Sequence, residues 1–398
     1  MATATAQNPP ANLTFQGIVV PGSALNPNAF FAGTRRQTVL QRTLGTWGGF
    51  GNTDVVDTLR AGILAGYTVK VAGTLTVTPS TGSVATTSAW PYGILKSAVF
   101  QANGQSNLIN ASGWHLRVRE LMADPSLSDR GVVQGVGGAS PGTSVNQGTL
   151  SLASESWGVG QNVSAIAAGS YDVELSFYVP VAFEKQMLTG AVFCQTLSTT
   201  LELDLNWANL SDIFTIVSPG GITFEPSVTV EAEMFTIPSD GQGGMWLPNL
   251  SAFHSFVTSR APNSISQGNN EIVLSGQGVG RQLERLVWRV QEGSPAAPII
   301  PTAANITEPY WRYGTNTTPE TWVDARDLRY QNERNYDSDI GAVAGFSAID
   351  FARTWAFRDS VNEGSATELR FGFNLVNSPT SPATVEYSQD VILAGAAA

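Results

Sequence analysis

The chain has 398 residues, of which 42% are hydrophobic and 13% are charged, with a formal net charge of −11. No stretch approaches the roughly 18 apolar residues that a membrane-spanning helix needs, and no concentrated basic face is present for binding nucleic acid. We therefore expect neither a membrane span nor direct contact with DNA or RNA. The single cysteine, Cys194, has no disulfide partner, and two histidines do not complete a usual zinc site with it. The first residues lack the basic start and apolar core of a secretory signal, so we expect synthesis in a cytoplasm.

The charged residues are few, and arginine greatly outnumbers lysine among the basic ones. Their 13% share compares with about 25% in typical proteins, and the basic residues comprise 18 arginines and three lysines. The surface must therefore be largely polar and uncharged. Arginine tolerates burial against carboxylates and aromatic rings better than lysine does, so this composition favours broad surfaces that another protein covers.

The N-terminal region divides at Pro27. Residues 1–27 are predicted to form an irregular arm, because four prolines, the last of them Pro27, prevent a long helix there. The following segment, Asn28–Leu44, is predicted to be helical.

Most of the remaining chain alternates between apolar and polar residues, which is typical of half-buried strands. The pattern is clearest in Asp172–Phe183, where Val173, Leu175 and Phe177 begin one apolar face. The same alternation predicts strands at Tyr67–Val71, Trp114–Val118, Leu201–Trp207, Val228–Met234 and Leu369–Leu375. Gly280–Glu292 fits both a helix and a strand, and the strand is favoured.

Many short strands separated by turn residues predict an all-β protein built from sandwiches or barrels, and the length requires two such units. The cluster of Gly, Pro and Asp at Pro238–Asn249 is the best boundary. We therefore expect a first domain at 28–240, with a long glycine-rich loop at about 126–148, and a second domain at 241–398. Residues 293–340 are predicted to be an extended connection within the second domain.

Motifs for catalysis or metal binding are weak. Gly138–Gly142 matches the G-x-S-x-G pattern of hydrolases, but it lacks the preceding strand and following helix that present the serine. Asn335, Asp337 and Asp339 have calcium-loop spacing, but Phe346 stands where the bidentate glutamate belongs. His115 and His254 are interpreted as packed histidines. We expect no catalytic residue, no cofactor and no metal site.

Ten tryptophans and nine tyrosines leave a second interpretation open, a glycan-binding or glycan-cleaving β-sandwich protein. Several of these aromatic residues, including Trp114, Trp207 and Trp288, are in phase with the apolar positions of predicted strands. Packing in the core is therefore the favoured role for them.

Two segments resemble a known family. Asn110–Val118 contains the run Ser112-Gly113-Trp114-His115-Leu116, and Phe177–Asn209 contains Val179–Phe183 followed by Leu188-Thr189-Gly190-Ala191-Val192. Their order and spacing resemble the major capsid protein of tectiviruses, which are membrane-containing double-stranded DNA bacteriophages. The resemblance is strongest over about 110–235.

The resemblance implies a double jelly roll, that is, two eight-stranded β-sandwiches side by side in one chain. It also implies homotrimers of pseudo-hexagonal outline that tile an icosahedral shell over an internal lipid membrane. The implied partners are other copies of the chain together with minor capsid, vertex and cementing proteins. The implied location is the virion capsid, after synthesis and assembly in a host bacterial cytoplasm. A minor virion protein built from the same sandwich is a further alternative.

Members of this family can have a helical N-terminal arm near the membrane. In this chain the corresponding candidates for contact with lipid head groups or a neighbouring trimer are Phe30, Phe31, Arg35, Arg36 and Arg42.

Overall fold

A computed structural model describes the chain between residues 13 and 394 with gaps. The two long gaps are 124–131 and 137–165, and the shorter ones are 16–17, 21–22, 45–46, 79–83, 103–104, 167, 196–200, 218–219, 240, 242, 261–264, 277, 314–316, 338, 342–343, 353–359 and 364–367. Within the described residues, no helix is both long and apolar enough to cross a membrane.

The described elements are mostly short strands. The first half contains β1 (Leu13–Phe15), β2 (Ile18–Val20), β3 (Ser23–Leu25), α1 (Pro27–Gly33), β4 (Arg36–Leu44), β5 (Thr53–Asp57), β6 (Ile63–Thr78), β7 (Val84–Thr86), a 3₁₀ turn (Tyr92–Ile94), β8 (Leu95–Ala102), β9 (Gln105–Ala111), α2 (Gly113–Ala123), β10 (Val132–Val136), β11 (Gly169–Pro180), β12 (Val192–Phe193) and β13 (Leu201–Trp207). The second half contains α3 (Leu210–Ile213), β14 (Phe214–Ile216), β15 (Gly221–Phe224), β16 (Ser227–Phe235), β17 (Met245–Leu247), β18 (Ala252–Arg260), β19 (Gly268–Val273), β20 (Arg281–Glu292), β21 (Ala297–Pro298), β22 (Ile306–Tyr313), β23 (Thr317–Thr321), α4 (Ala325–Tyr336), β24 (Ser347–Asp350), β25 (Val361–Asn362), β26 (Leu369–Leu375) and β27 (Ala383–Ala394).

The first sandwich packs a seven-stranded sheet against part of a ten-stranded one. The smaller sheet has the strand order β10-β11-β6-β16-β4, with β12 and β15 also paired to β6. It faces β5, β8, β9 and β13 across a core that includes Tyr67, Phe100, Phe177 and Leu203, all fully buried. The inward residues follow the alternation of each strand, since every second side chain points to the same face.

The ten-stranded sheet runs through both halves of the molecule. Its order is β21-β20-β27-β18-β9-β8-β13-β5, with β24 and β25 also paired to β20. The two halves join where β18 pairs in parallel with β9, at Phe256 with Ile109 and Val257 with Asn110. A continuous sheet therefore connects the first sandwich to the second.

The second sandwich packs β19, β26, β22 and β23 against the β20–β27 part of the large sheet. Its core includes Leu286, Trp288, Val385 and Phe373. The Trp288 ring stacks on Phe373 with centroids 5.0 Å apart. The opposite face of β20 and β27 points toward α2 and carries most of the charged residues discussed below.

The strands predicted within Asp172–Phe183 and at Tyr67–Val71, Leu201–Trp207, Val228–Met234 and Leu369–Leu375 are confirmed. The ambiguous segment Gly280–Glu292 is a strand, as favoured.

Besides the strand predicted at Trp114–Val118, where a helix lies, three predictions differ from the structure. The helix predicted at Asn28–Leu44 is wrong beyond Gly33. α1 is capped by Asn26, whose Oδ1 accepts a hydrogen bond from Ala29 N, and β4 then pairs with β16. The arm predicted as irregular contains β1, β2 and β3 in its described part. The connection predicted as extended at 293–340 contains α4 as well as β21, β22 and β23.

The glycine-rich loop predicted at about 126–148 lies largely outside the described residues. The exception is β10, which pairs with β11 at the edge of the seven-stranded sheet.

Candidate functional site: a buried charged junction between the sandwiches

The helix α2 lies where the two sandwiches meet. Its residues Trp114, Leu116 and Val118 are buried, but so are His115, Arg117 and Arg119, which are 1, 2 and 7% exposed. The strand predicted at Trp114–Val118 is therefore wrong, and the reason is physical. The helix is buried all round, so polar residues such as His115 and Arg119 are interspersed with apolar ones and are not confined to one exposed face.

The start of α2 depends on Gly113. A Cβ atom at this position would lie 2.1 Å from the carbonyl oxygen of Tyr92 and 2.9 Å from Phe177 Cε1. The Trp114 indole Nε1 donates to the carbonyl of Ala89 at 2.7 Å. This close approach fixes the helix against the first sandwich.

Asp390 on β27 is the centre of the junction and is 1% exposed. It accepts a hydrogen bond from Arg119 Nε at 2.9 Å and one from His254 Nε2 at 2.5 Å. Arg285 Nη1 lies 3.6 Å from it and donates through Nε to Asp350 at 3.0 Å. The two arginines are thus matched by two carboxylates, which is the condition for burying charge without a large penalty.

The same cluster reaches the backbone of the first sandwich. Arg119 Nη2 donates to the carbonyl of Phe183 at 2.9 Å, and His254 Nδ1 lies 3.0 Å from the carbonyl oxygen of Pro180. Pro180 ends β11, whereas Asp390 and His254 lie on β27 and β18. The cluster therefore ties strands of both sandwiches to α2.

A second ion pair lies beside the first. Arg289 on β20 donates to Glu386 on β27 at 2.6 Å, and its guanidinium lies 4.8 Å from the Phe346 ring centroid. His115 on α2 lies beside this pair, with Nδ1 2.7 Å from Ser388 Oγ and Nε2 3.9 Å from Glu386.

The titration of these groups follows from burial and pairing. Burial lowers the pKa of His115 to about 3, so this ring is neutral in the folded chain near pH 7. Burial alone would raise the pKa of Glu386, but Arg289 and His115 hold it at about 2. Burial would also raise the pKa of Asp390, and Arg119, His254 and Arg285 keep it below its ordinary value. Glu284 on β20 is the opposite case, since burial raises its pKa to about 7.

We expect the folded chain to lose the stability contributed by His115 on acidification. In the unfolded chain the pKa of His115 has its ordinary value of 6.5, whereas in the folded chain it is about 3. As the pH falls below 6.5 the unfolded chain takes up a proton that the folded chain does not, so the free energy of unfolding decreases. Compared with His115→Gln, the unmodified chain should lose about 2 kcal/mol of unfolding free energy between pH 6.5 and pH 5.

Urea unfolding of both proteins at the two pH values measures this difference. Glu284 acts with the opposite sign over the same range, which is why the variant comparison, rather than the unmodified chain alone, isolates His115. The exposed substitution Val279→Gln should follow the unmodified chain at both pH values. Parallel pH profiles for His115→Gln and the unmodified chain would contradict the assignment.

The junction has the chemistry of a structural connector. Its carboxylates are paired with arginines, and its histidines are fully enclosed. Over the described part of the chain, no group of three or more His, Cys, Asp or Glu side chains is arranged to hold a metal ion. Sequence reasoning missed this site because Arg119, Arg285 and Asp390 are far apart along the chain. The burial of the polar residues of α2, which indicates the site, is visible only in the structure.

The candidates of the N-terminal segment lie in different environments. Phe30 is fully buried, in a cluster with Ile63, Phe193 and Leu247, and Phe31 packs against that cluster. Arg35, Arg36 and Arg42 are exposed. Arg36 pairs with Glu233 at 2.9 Å, and Arg42 donates to the carbonyl of Val55. The exposed arginines are thus the members of the set that can reach a partner.

The other sequence motifs have ordinary surroundings. Asp339 pairs with Arg329, and Asp337 caps the end of α4. The Gly138–Gly142 motif lies outside the described residues. A groove of about 910 Å³ lies between the sandwiches, and Trp114 is the aromatic residue in its lining. This lining offers little of the stacking surface that a sugar-binding site uses.

The comparisons with known proteins agree with this architecture. Residues 51–239 match the family model described as P3 major capsid protein N-terminal. No curated protein matches the chain.

Solved structures of viral coat proteins match most of the chain. A chain from the atomic structure of Sulfolobus Turreted Icosahedral Virus matches with a TM-score of 0.62 and 14% identity, covering 91% of this chain and 91% of that one. The Faustovirus major capsid protein matches with a TM-score of 0.56 and 9% identity, covering 92% and 90%. A chain of the PBCV-1 virus capsid matches with a TM-score of 0.52 and 14% identity, covering 90% and 94%.

At these identities the structural matches establish the fold, and the family model adds the sequence relationship. The predicted double jelly roll is confirmed. Residues 51–239 are thus similar in sequence to the family described as P3 major capsid protein N-terminal, and the chain as a whole has the double-jelly-roll fold of viral major capsid proteins.

Proposed function

We propose that this chain is the major capsid protein of a double-stranded DNA phage and that it forms homotrimers of pseudo-hexagonal outline. The observation that carries the proposal is the family match over residues 51–239 in a chain that continues into a second sandwich of the same sheet. Three copies then present six similar sandwiches, so one chain can occupy many non-equivalent positions in an icosahedral shell.

The buried junction supports this role. A shell subunit must keep the angle between its two sandwiches fixed, because the outline of the trimer depends on it. The continuous sheet and the ion pairs of Asp390 and Glu386 supply that rigidity. The domain division at 28–240 and 241–398 belongs to this proposal.

The remaining elements of the proposal concern assembly. The shell lies over an internal lipid membrane, and minor capsid, vertex and cementing proteins complete it. The chain acts as a building block without catalysis, and its place is the virion after synthesis in a host bacterial cytoplasm. Arg35, Arg36 and Arg42 are the residues of the N-terminal segment available for head groups or a neighbouring trimer.

Electron cryo-microscopy of particles that contain the chain tests the proposal. We expect a shell of pseudo-hexagonal units, each fitted by three copies of this fold, with a bilayer inside. A chain found only at the vertices, or only in trace amounts by mass spectrometry of the particles, would instead favour a minor virion protein. A soluble monomer whose Trp fluorescence shifts with oligosaccharides would favour the glycan-binding alternative.

A further inference from the structure

The strand β4 is a long, exposed edge. It forms one end of the seven-stranded sheet and pairs with β16 on one side only. Its other side meets the neighbouring sheet through side chains, with Gln41 Oε1 accepting from Leu59 N at 2.6 Å. Long edge strands invite pairing with other chains, and proteins cover or protect them.

This edge carries positive charge and exposed leucines. Arg35 directly precedes β4 and Arg42 lies on it, and both are exposed. The acidic residues of the neighbouring β16, Glu231 and Glu233, are already paired with Lys70, Arg36 and Lys185. Leu40 and Leu59 are 57 and 54% exposed. We call Arg35, Leu40, Arg42 and Leu59 the arginine edge.

A second edge, with acidic residues, lies in the second sandwich, where β23 ends the four-stranded sheet. All five residues of β23 are exposed, including Glu320, and Glu308 on β22 and Val323 after β23 are exposed beside them. Val323 is 76% exposed and lines a pocket of about 480 Å³ together with Glu308. Arg312 in the same pocket is already paired with Glu271. We call Glu308, Glu320 and Val323 the glutamate edge.

The topology places the two edges at opposite ends. β5, next to β4, ends the ten-stranded sheet in the first sandwich. In the second sandwich, β24 pairs with the side of β20 that does not pair with β27. The helix α4 follows β23 in the chain and is held to β24 by Asn332, whose side chain makes two hydrogen bonds with the backbone of Ala348, at 2.8 and 2.9 Å. One chain therefore cannot bring its own two edges together.

We infer that the arginine edge of one copy contacts the glutamate edge of a second copy, and that this head-to-tail contact, repeated three times, closes the trimer. The inference rests on the proposed trimeric function and names the surfaces that form it. It places Arg35 and Arg42 inside the trimer, which leaves Arg36 for lipid head groups or a neighbouring trimer. Opposite charges and exposed apolar side chains occur on both edges, as an interface between copies requires. Contacts between different patches of identical chains form closed rings when the rotation closes. Pro319 in β23 lacks an N–H, so the contact is made through side chains rather than by strand addition.

Charge reversal on each edge tests the contact. One variant carries Arg35→Glu with Arg42→Glu, a second carries Glu308→Arg with Glu320→Arg, and a third carries all four changes. The control carries Lys96→Glu, an exposed position in the groove between the sandwiches that belongs to neither edge. Native mass is measured by light scattering over a dilution series of each purified protein.

We expect each single-edge variant to dissociate at a protein concentration at least about tenfold above that of the unmodified chain, because like charges then face each other. The fourfold variant should return toward the unmodified behaviour, and the control should match it. Single-edge variants that dissociate like the unmodified chain, or a fourfold variant that shows no recovery, would overturn the inference while leaving a trimeric capsid protein in place. An unmodified chain that is monomeric would overturn the proposed trimer itself. If a single-edge variant aggregates, recovery of a trimer in the fourfold variant decides the question.

Discussion

Asp390→Asn is expected to lower the free energy of unfolding by about 3–5 kcal/mol, because it removes the charge that buried cations depend on. Arg119, Arg285 and His254 all contact Asp390, which is 1% exposed. The asparagine keeps the size of the side chain but leaves Arg119 without its carboxylate. The loss should appear as a lower midpoint in urea and a lower melting temperature.

A matched control separates burial from charge. Glu231 pairs with Lys70 at 2.9 Å, but that lysine side chain is 48% exposed. Solvent screens such a pair, so Glu231→Gln should change stability by less than about 1 kcal/mol. Equal effects of Asp390→Asn and Glu231→Gln would show that the junction carries no special stabilisation.

Gly190→Ala is expected to destabilise the chain by about 2–4 kcal/mol, through backbone strain and a steric clash together. Gly190 has a φ of +80°, which side-chain-bearing residues rarely adopt. Its added Cβ would lie 2.5 Å from the backbone nitrogen and 2.5 Å from the Cβ of His254. Since His254 contacts Asp390, the clash would also disturb the junction.

Gly241→Ala is the control for this substitution. Gly241 has nearly the same φ, +77°, but nothing lies within 4 Å of its added Cβ. It should therefore show the strain alone, about 1 kcal/mol. Chemical unfolding of both variants gives the difference, and equal losses would mean that the contact with His254 contributes nothing.

Gly113 and Gly190 belong to the two short runs by which the sequence resembles tectivirus capsid proteins, and both approach backbone atoms too closely for any side chain. Gly113 begins α2 and Gly190 contacts His254, so both lie at the junction of the two sandwiches.

The strands could be predicted from the sequence because alternation survives wherever one face is buried and the other is polar. β11, β13, β16 and β26 meet that condition, and the predictions for them are confirmed. The pattern fails for β4, whose residues are nearly all exposed on both faces, and the sequence there suggested a helix instead.

The helices were harder to predict for two different reasons. α2 is buried on all sides, so its polar residues imitate the alternation of a strand. α4 is mostly polar, with Ala325, Leu328, Asn332 and Tyr336 as its buried residues. The signal that marks α4 is Asp324, whose side chain accepts hydrogen bonds from Arg326 N and Asp327 N.

The junction could not be predicted from one sequence. Its residues come from α2, β18, β20 and β27. These elements meet through the pairing of β27 with β18 and β20 and of β18 with β9, all of which are distant in sequence. The charges at Arg119, Arg285 and Asp390 carry no local spacing that distinguishes them from surface charges.

The native mass of the purified unmodified chain, measured by light scattering, tests the central claim most directly. We expect one species near three times 42.1 kDa. A stable monomer at micromolar concentration would contradict the account of this chain as a trimeric capsid building block.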